Sequence, residues 1–541
     1  MAGLAAWCGL DGGTTTDGVV FTDVTEQAGI RFRHTNGASG QKYLVETMGP
    51  GCAFVDYDAD GYLDIFLVNG GLLPGFGSKG PIANALYRNN RDGTFTDVTG
   101  KAGVAGGGGY GMGVAAADYD NDGLADLFVS GFRSSLLYHN HGDGTFREVG
   151  ERAGIRRQEW GTSAAFFDYD RDGWLDLYVA NYMDYRLEQN PYCGVPGKYR
   201  SYCHPDEFRG AAGTLYRNQG DGTFRDASAA SGIGAHVGKG LGAVAADFNQ
   251  DGFPDLYIAN DAVANFLFLN NGDGTFTETG ALAGAAYSGD GKAQSGMGAA
   301  AGDFNQDGRP DILVTNLSNE GHTLYRNDGN GYFSDVTFPA GVGKPSLLLT
   351  GWGTGFADYD NDGDEDIVAA HGHVMDNVEL VNPTLRHLQP MLLLENTGGR
   401  FADSTARHGA ALAARRAARG LALGDYDNDG DVDLLVAASN GMTSLLRNDG
   451  GNRGRWLMVE PRGRESNRYG IGLKARVTAG GSTQVKEIPG GASYLSSGDR
   501  RLHFGLGASA RVDRLEIAWP RGKVQVLENV RADQILRVQE P

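Results

Sequence analysis

Asp56–Asp64 reads D-Y-D-A-D-G-Y-L-D. Asp56, Asp58, Asp60 and Asp64 fall within nine residues, and a glycine follows the third. Carboxylates packed that closely repel one another, so the loop is destabilised unless a cation sits inside it. The pattern recurs as DYDNDGLAD from Asp118, DYDRDGWLD from Asp168, DFNQDGFPD from Asp247, DFNQDGRPD from Asp303, DYDNDGDED from Asp358 and DYDNDGDVD from Asp425. One copy reads as a solvated acidic turn. Seven in register read as a repeat built around a metal.

In D-x-[DN]-x-D-G-x-x-D, positions 1, 3, 5 and 9 supply side-chain oxygens and position 7 a backbone carbonyl. The glycine at position 6 permits the sharp turn. The expected ligands in the first repeat are Asp56, Asp58, Asp60, Tyr62 and Asp64, and in the second Asp118, Asp120, Asp122, Leu124 and Asp126. The third offers Asp168, Asp170, Asp172, Trp174 and Asp176; the fourth Asp247, Asn249, Asp251, Phe253 and Asp255. The fifth offers Asp303, Asn305, Asp307, Arg309 and Asp311, and the sixth Asp358, Asp360, Asp362, Asp364 and Asp366. The seventh offers Asp425, Asp427, Asp429, Asp431 and Asp433. All-oxygen ligation by a flexible loop suits Ca2+; Mg2+ demands a tighter octahedron, and zinc prefers nitrogen and sulfur. Asn249 and Asn305 lower the charge, and with it the expected affinity. Seven calcium ions would bring the net charge from −20 to −6. Their expected role is structural, pinning one hairpin per repeat.

Small residues precede each loop, as in GMGVAAAD and GLGAVAAD, and apolar runs such as LFVS or LYIAN follow it. A second signature closes each unit, as in LYRNNRDGTFTDVT from Leu86, LYRNQGDGTFRDAS from Leu215 and LFLNNGDGTFTETG from Leu267. The two hairpins give four strands per unit, the content of one propeller blade. The seventh unit ends at Leu445–Asn448 with no F-x-D-V-T strand, while the chain opens with an unpaired FTDVT at Phe21–Thr25. An all-β, seven-bladed β-propeller closed by that first strand accounts for every copy and leaves no exposed sheet edge. An open solenoid would leave the strand unpaired.

Composition agrees. Glycine is 86 of 541 residues, yet hydrophobics are 41% and aromatics 10%, too apolar for disorder. A net charge of −20 argues against non-specific binding to nucleic acid or to anionic membrane. No apolar run approaches the ~20 residues of a membrane helix. The domains expected are a tail or leader remnant over 1–18, the propeller over 19–450, and a small β-sandwich over 451–541. That last segment alternates apolar and polar residues (LKARVTA, TQVKEI, LEIAWP) and has no calcium loop. A hairpin extension packed on blade seven is the alternative. MAGLAAWCGLDGG at the start lacks a basic region, and Trp7 before Cys8 fits a lipoprotein box poorly.

If the acidic loop joins strands one and two of each blade, the long insertions fall on the opposite face. These are Arg31–Pro50, Asn69–Asn84, Asn181–Gly213 and His371–Pro390. Functional residues concentrate on such loops. Eight histidines lie in connections of this kind: His34, His204, His236, His322, His371, His373, His387 and His408. Glu46, Asp261, Glu320 and Asp376 lie in or beside the same connections. His34, Glu46, His371, His373 and Asp376 are the candidate acid–base or transition-metal residues of an axial pocket. Hydrogen-bonded structural histidine is the competing reading. No nucleophile elbow or phosphate-binding loop is present.

These repeats resemble the FG-GAP/VCBS repeats of integrin α-subunit propellers and bacterial surface proteins. RWLMVEPRGRESNRYGIGLKARVTAGG, GGASYLSSGDRRLHFGLG and VDRLEIAWPRGKVQVLENV resemble the ASPIC/UnbV domain. With HTNG at His34–Gly37, ETMGPGCAFVDYDADGYLD from Glu46 and GHVMDN from Gly372, the chain is similar to the cartilage acidic protein family over about residues 20–540. The resemblance implies a secreted, periplasmic or surface-located calcium-binding propeller. Cys193 and Cys203, separated by nine intervening residues in NPYCGVPGKYRSYCHPDEF, resemble the paired cysteines of the family insertion and suit a disulfide. Only His204 is adjacent, so a zinc knuckle is the weaker reading. Cys52 reads as a buried strand residue.

Two functions remain. The favoured one is a calcium-stabilised module that binds carbohydrate or protein through the insertion face, with Trp160, Tyr182, Tyr192, Tyr199 and Tyr202 available to stack on sugars. The alternative is an enzyme of lyase, dehydratase or acid–base cyclase type using the axial cluster.

Overall fold

Apolar and small residues on both sides of an acidic loop make strands that are buried on both faces. In the first repeat Cys52–Val55 and Asp64–Leu67 are buried throughout, and the loop between them is the acidic one. Ala85–Asn89 and Phe95–Asp97 complete the sheet, the last exposing two of its three residues. The computed structural model describes residues 18–78, 80–156 and 160–541. The tail or leader remnant expected over 1–18, with Cys8, lies outside the described residues except for Gly18.

Among the described residues up to Asp449, seven such four-stranded antiparallel sheets follow one another. Their first strands are Cys52–Val55, Tyr110–Ala117, Gly161–Phe167, Gly240–Ala246, Ala299–Gly302, Gly351–Ala357 and Ala418–Gly424. Each packs against the first strand of the next sheet, and the last against the first. The result is an all-β propeller. Its seventh sheet is completed by Val20–Asp23, antiparallel to the strand ending at Asp449, with Val20 opposite Asp449 and Asp23 opposite Leu446. The unpaired FTDVT copy therefore has its partner.

Each L-x-x-N strand ends on an asparagine that ties two blades together. Asn218 donates its side-chain amide to the carbonyls of Leu175 in its own blade (2.9 Å) and Tyr119 in the preceding one (2.8 Å). Asn89, Asn140, Asn270, Asn327, Asn396 and Asn448 reach back in the same way, to the carbonyls of Tyr426, Tyr57, Tyr169, Phe248, Phe304 and Tyr359. The aromatic at loop position 2 is thus the acceptor of a clasp that runs around the whole ring.

The C-terminal segment forms two sheets. Arg455–Arg462 lies between Leu502–Gly507 and the parallel strand Gln534–Gln539. The second sheet runs Ser482–Glu487, Lys474–Ala479, Arg511–Ala518, Val524–Arg531. Leu457, Val459 and Phe504 from one sheet and Ala475, Leu515 and Ile517 from the other share one apolar core. The segment does not pack on blade seven alone. It lies across the acidic-loop face: Arg468 N–H donates to Asn121 (2.8 Å), Arg171 to the Pro520 carbonyl (2.9 Å), and Arg501 to the Asp425 carbonyl (2.7 Å). Lys474 pairs with Asp247 at 2.6 Å, and Lys486 with Glu365 at 2.9 Å.

One loop of this segment, residues 488–501, enters the axial channel and bonds to the first strand of every blade. Gly490 exchanges two backbone hydrogen bonds with Ala245, and Ser493 two with Ala299. Leu495 accepts from Val114 N–H and donates to Ser163, while Ser497 accepts from Phe54 N–H. The Ser493 hydroxyl accepts from Thr354 N–H and donates to the Leu421 carbonyl. The small residues before each acidic loop make the room. A Cβ on Gly51 would stand 1.8 Å from the Leu495 carbonyl oxygen.

Candidate metal loops and the opposite face

Position 1 is fixed by its own loop. Asp56 accepts from Asp60 N–H (3.0 Å) and Gly61 N–H (2.9 Å). Position 9 joins the two hairpins, since Asp64 accepts from Tyr57 N–H (3.1 Å) and Asn89 N–H (2.7 Å). Both arrangements recur in the other blades, as at Asp168 and Asp176. These bonds aim the remaining lone pairs inward. Ligand oxygens of Asp56, Asp58 and Asp64 lie within 4.8 Å of one another, as do those of Asp168, Asp170 and Asp176 and of Asp358, Asp360 and Asp366. Asp58 Oδ1 and Asp427 Oδ1 are buried and have no hydrogen-bond donor. A buried carboxylate oxygen without a donor is costly, and a divalent cation supplies the missing charge. The acidic groups therefore could hold metal ions, and the all-oxygen donor set fits a hard cation such as calcium.

Burial, aided by the neighbouring carboxylates, raises Asp64 and Asp311 to about 9 and Asp118, Asp168 and Asp425 to about 7. The loops are not equivalent. Asn249 and Asn305 donate side-chain N–H to Asp251 and Asp307, each at 2.9 Å. Arg309 pairs with Asp307 at 2.5 Å, and Lys474 brings an ammonium to Asp247. Blades four and five thus carry less uncompensated charge. Arg88 and Arg217, each two residues after the leucine of L-Y-x-N, brace position 3 at Asp58 and Asp170, both at 2.7 Å. Nothing in the acidic motif itself announces them.

The opposite face departs from expectation. Trp160 and Tyr182 are 1% exposed and Tyr202 is 9% exposed, so none of the three presents an open ring. They belong to an apolar core with Tyr43, Tyr110, Tyr185, Trp352 and Tyr494, the last from the C-terminal loop. Three insertions interlock over that core. Tyr185 accepts from Leu44 N–H (3.2 Å), Asn190 donates to the Gln41 carbonyl (2.8 Å), Lys42 pairs with Asp376 at 2.6 Å, and Asn377 donates to the Arg200 carbonyl (2.9 Å). Tyr192 stays exposed, with the Arg200 guanidinium 5.3 Å from its ring, on the hairpin closed by the Cys193–Cys203 disulfide. Cys52 is buried, as expected, and burial pushes its thiol up to about 12.

The five acid–base candidates do not meet in an open pocket. His371 is fully buried and stacks on His322, Nε2 to Nε2 at 2.8 Å. Its Nδ1 faces the Pro390 carbonyl at 3.0 Å, and His322 Nδ1 accepts from Asn316 N–H at 3.3 Å. Those two partners set the proton order: His322 donates to His371, which donates to Pro390. Burial lowers His371 to about 3, so the pair stays neutral. His34 Nδ1 accepts from Asn440 N–H at 3.0 Å, and burial with the nearby Arg419 charge lowers it to about 3. His373 Nδ1 accepts from Met375 N–H at 3.0 Å. Glu46, 1% exposed, accepts from Tyr202 Oη at 2.9 Å, and its carboxyl is raised by burial. Asp376 is the exposed member, paired with Lys42. At the centre sits Arg419, 1% exposed, donating to the carbonyls of Thr47, Gly372, Ala418 and His373 and lying 4.0 Å from the Trp352 ring. Sequence reasoning passed over it. A cavity of about 270 Å³ does exist, on the acidic-loop side, between the C-terminal sheets and the first strands of the blades.

The model of the FG-GAP-like repeat matches residues 56–129, 118–179, 208–258, 247–314 and 303–369, more than half of the chain. The chain belongs to the FG-GAP-like repeat family. Residues 463–541 match the ASPIC and UnbV model. Cartilage acidic protein 1 of Homo sapiens is 31% identical over 324 residues, 59% of this FG-GAP protein and 46% of the human one. The Xenopus tropicalis protein of the same name is 30% identical over 281 residues, 50% and 40% of the two chains. The chain spans about half the length of the curated relatives it matches. Among solved structures, an N-acetylglucosamine-recognising lectin of Agrocybe aegerita is 20% identical, covering 64% of this chain and 77% of its own, with a TM-score of 0.39. The BP39L lectin of Burkholderia pseudomallei is 9% identical, covering 74% and 95%, with a TM-score of 0.43. At such TM-scores the likeness carries no functional argument.

Proposed function

We propose that this FG-GAP protein is a calcium-stabilised extracellular or surface module that binds carbohydrate or protein through the face opposite its acidic loops. One observation carries the reading. The C-terminal segment covers the acidic-loop face and fills the channel, which leaves the insertion loops as the broad surface on which a partner can land. Tyr192 and Arg200 offer a ring and a guanidinium there, suited to a sugar face or an acidic group. The disulfide in the same hairpin agrees with an oxidising compartment. Calcium in the acidic loops, up to one ion per loop, holds the blades that carry this surface; a site at one hundred times its Kd contributes about 2.7 kcal/mol.

The test has two arms. Chelation should lower the melting temperature by more than about 10 °C and calcium should restore it. Glycan and extracellular-protein arrays should then give a calcium-dependent ligand, weakened at least about tenfold by joint Tyr192→Ala and Arg200→Ala substitution. A ligand lost on altering the C-terminal sheets, but indifferent to the insertions, would overturn the assignment of the face.

A further inference from the structure

Two places before their acidic loops, blades two, three, five, six and seven carry Ala116, Phe166, Ala301, Phe356 and Leu423. All five line the cavity of about 270 Å³ between the propeller and the C-terminal sheets. In Gly351–Ala357 and Ala418–Gly424, Phe356 and Leu423 are the single residues that are not buried. They stand close together. A Cβ on Gly302 would lie 2.5 Å from Phe356 and 2.7 Å from Glu365, and one on Gly355 would lie 2.5 Å from Leu423. The cavity thus has a hydrocarbon floor that no protein atom covers. Gly498, which also lines it, is exposed, so the space has a mouth.

The polar groups above that floor are unequally engaged. Asp303, Asp358 and Asp425 accept on both oxygens from N–H groups of their own loops. Glu487 accepts from Asp247 N–H at 3.2 Å, and Asp499 pairs with Arg501 at 2.7 Å. Glu365 meets Lys486 on Oε1 and Asp303 N–H on Oε2, both at 2.9 Å. The acceptors are therefore spent. Lys486 is not: its side chain is 12% exposed, and among the described residues Glu365 is its one acceptor for three N–H groups.

We propose that this cavity binds a monocarboxylic acid with an apolar body, of the medium-chain fatty acid class. Lys486 receives the carboxylate, and the chain lies on Phe356 and Leu423. An ammonium head would find every acceptor occupied, whereas a carboxylate uses the N–H capacity that Lys486 has left. A dry cavity of about 150 Å³ accepts benzene, so about 270 Å³ suits a body of roughly eight carbon atoms. The inference concerns a space between the propeller and the C-terminal sheets, and it is independent of the partner read for the insertion face.

The experiment titrates the calcium-saturated full chain with hexanoate, octanoate, octanol and octylamine by calorimetry. One octanoate should bind per chain, about fifteenfold tighter than hexanoate for its two added methylenes. It should also bind at least about tenfold tighter than octanol or octylamine. Lys486→Met should abolish the preference for octanoate over octanol. Ala116→Leu and Ala301→Leu, which fill the floor from different blades, should each weaken octanoate at least about tenfold. Octanoate carrying a diazirine on its last carbon should label residues 354–358 or 421–425 of the wild type on irradiation, a readout independent of whether the variants fold. No octanoate bound, octanol bound as tightly as octanoate, binding indifferent to both leucine variants, or label confined to residues 191–204 would each overturn the proposal.

Discussion

At the scale of single residues, burial sets the charge economy of the acidic loops. In the cation-free chain Asp64 and Asp311 keep protons up to about pH 9, and Asp118, Asp168 and Asp425 up to about 7. Unfolded carboxyls release theirs near pH 4. The folded state binds more protons between those limits, so its stability falls as pH rises. Buried His34 and His371, lowered to about 3, act the other way, losing stability as pH drops below about 6.5. The clean window is therefore about 6.5 to 9. There, thermal melts of chelated protein should show a falling melting temperature with pH, and calcium-saturated protein a level or rising one. Asn218→Ala removes both clasp bonds and leaves the Tyr119 and Leu175 carbonyls without that donor. It should cost about 2–4 kcal/mol in urea unfolding, whereas Gln219→Ala, one residue on, should cost under about 0.5. The aspartates were legible because a nine-residue motif carries its own spacing. The His322–His371 pair was not, because its members lie 49 residues apart and only the folded ring brings them together.

At the scale of elements, four strands per unit and closure by the first strand followed from the count and phase of the repeats. The channel loop did not. Gly-Gly-Ala-Ser-Tyr-Leu-Ser-Ser-Gly has no periodicity that announces insertion, and its partners are backbone groups of six distant strands and the Ser163 hydroxyl of a seventh. The one local trace is the run of glycine and alanine before each acidic loop, which reads as ordinary strand until something needs the space. The same missing information hid the burial of Trp160, Tyr182 and Tyr202, since insertions that interlock look in sequence like insertions that do not. Gly51→Val should drive the loop from the channel, because its side chain would overlap the Leu495 carbonyl. The expected loss is about 1–3 kcal/mol, with new protease cleavage within residues 488–501. Gly77→Ala, which meets no atom within 4 Å, should leave both unchanged.

At the scale of the whole molecule, the ring, its clasp and its channel loop make one cooperative object. Removing residues 1–24 should expose the strand Ser444–Asp449 as a free edge. The truncated chain should elute as soluble oligomers or aggregate, and a synthetic peptide of residues 18–25 should restore part of the monomer peak in size-exclusion chromatography. The closing pair has a further consequence for biosynthesis. Thr22 meets Asp449, which lies 427 positions further along the chain. On the ribosome the first strand must wait, unmated, while six blades emerge and the seventh is made. The loop that will fill the hole down the middle arrives later still. A nascent molecule thus passes through a long interval as an open crescent with a hollow centre and an unmated sheet edge.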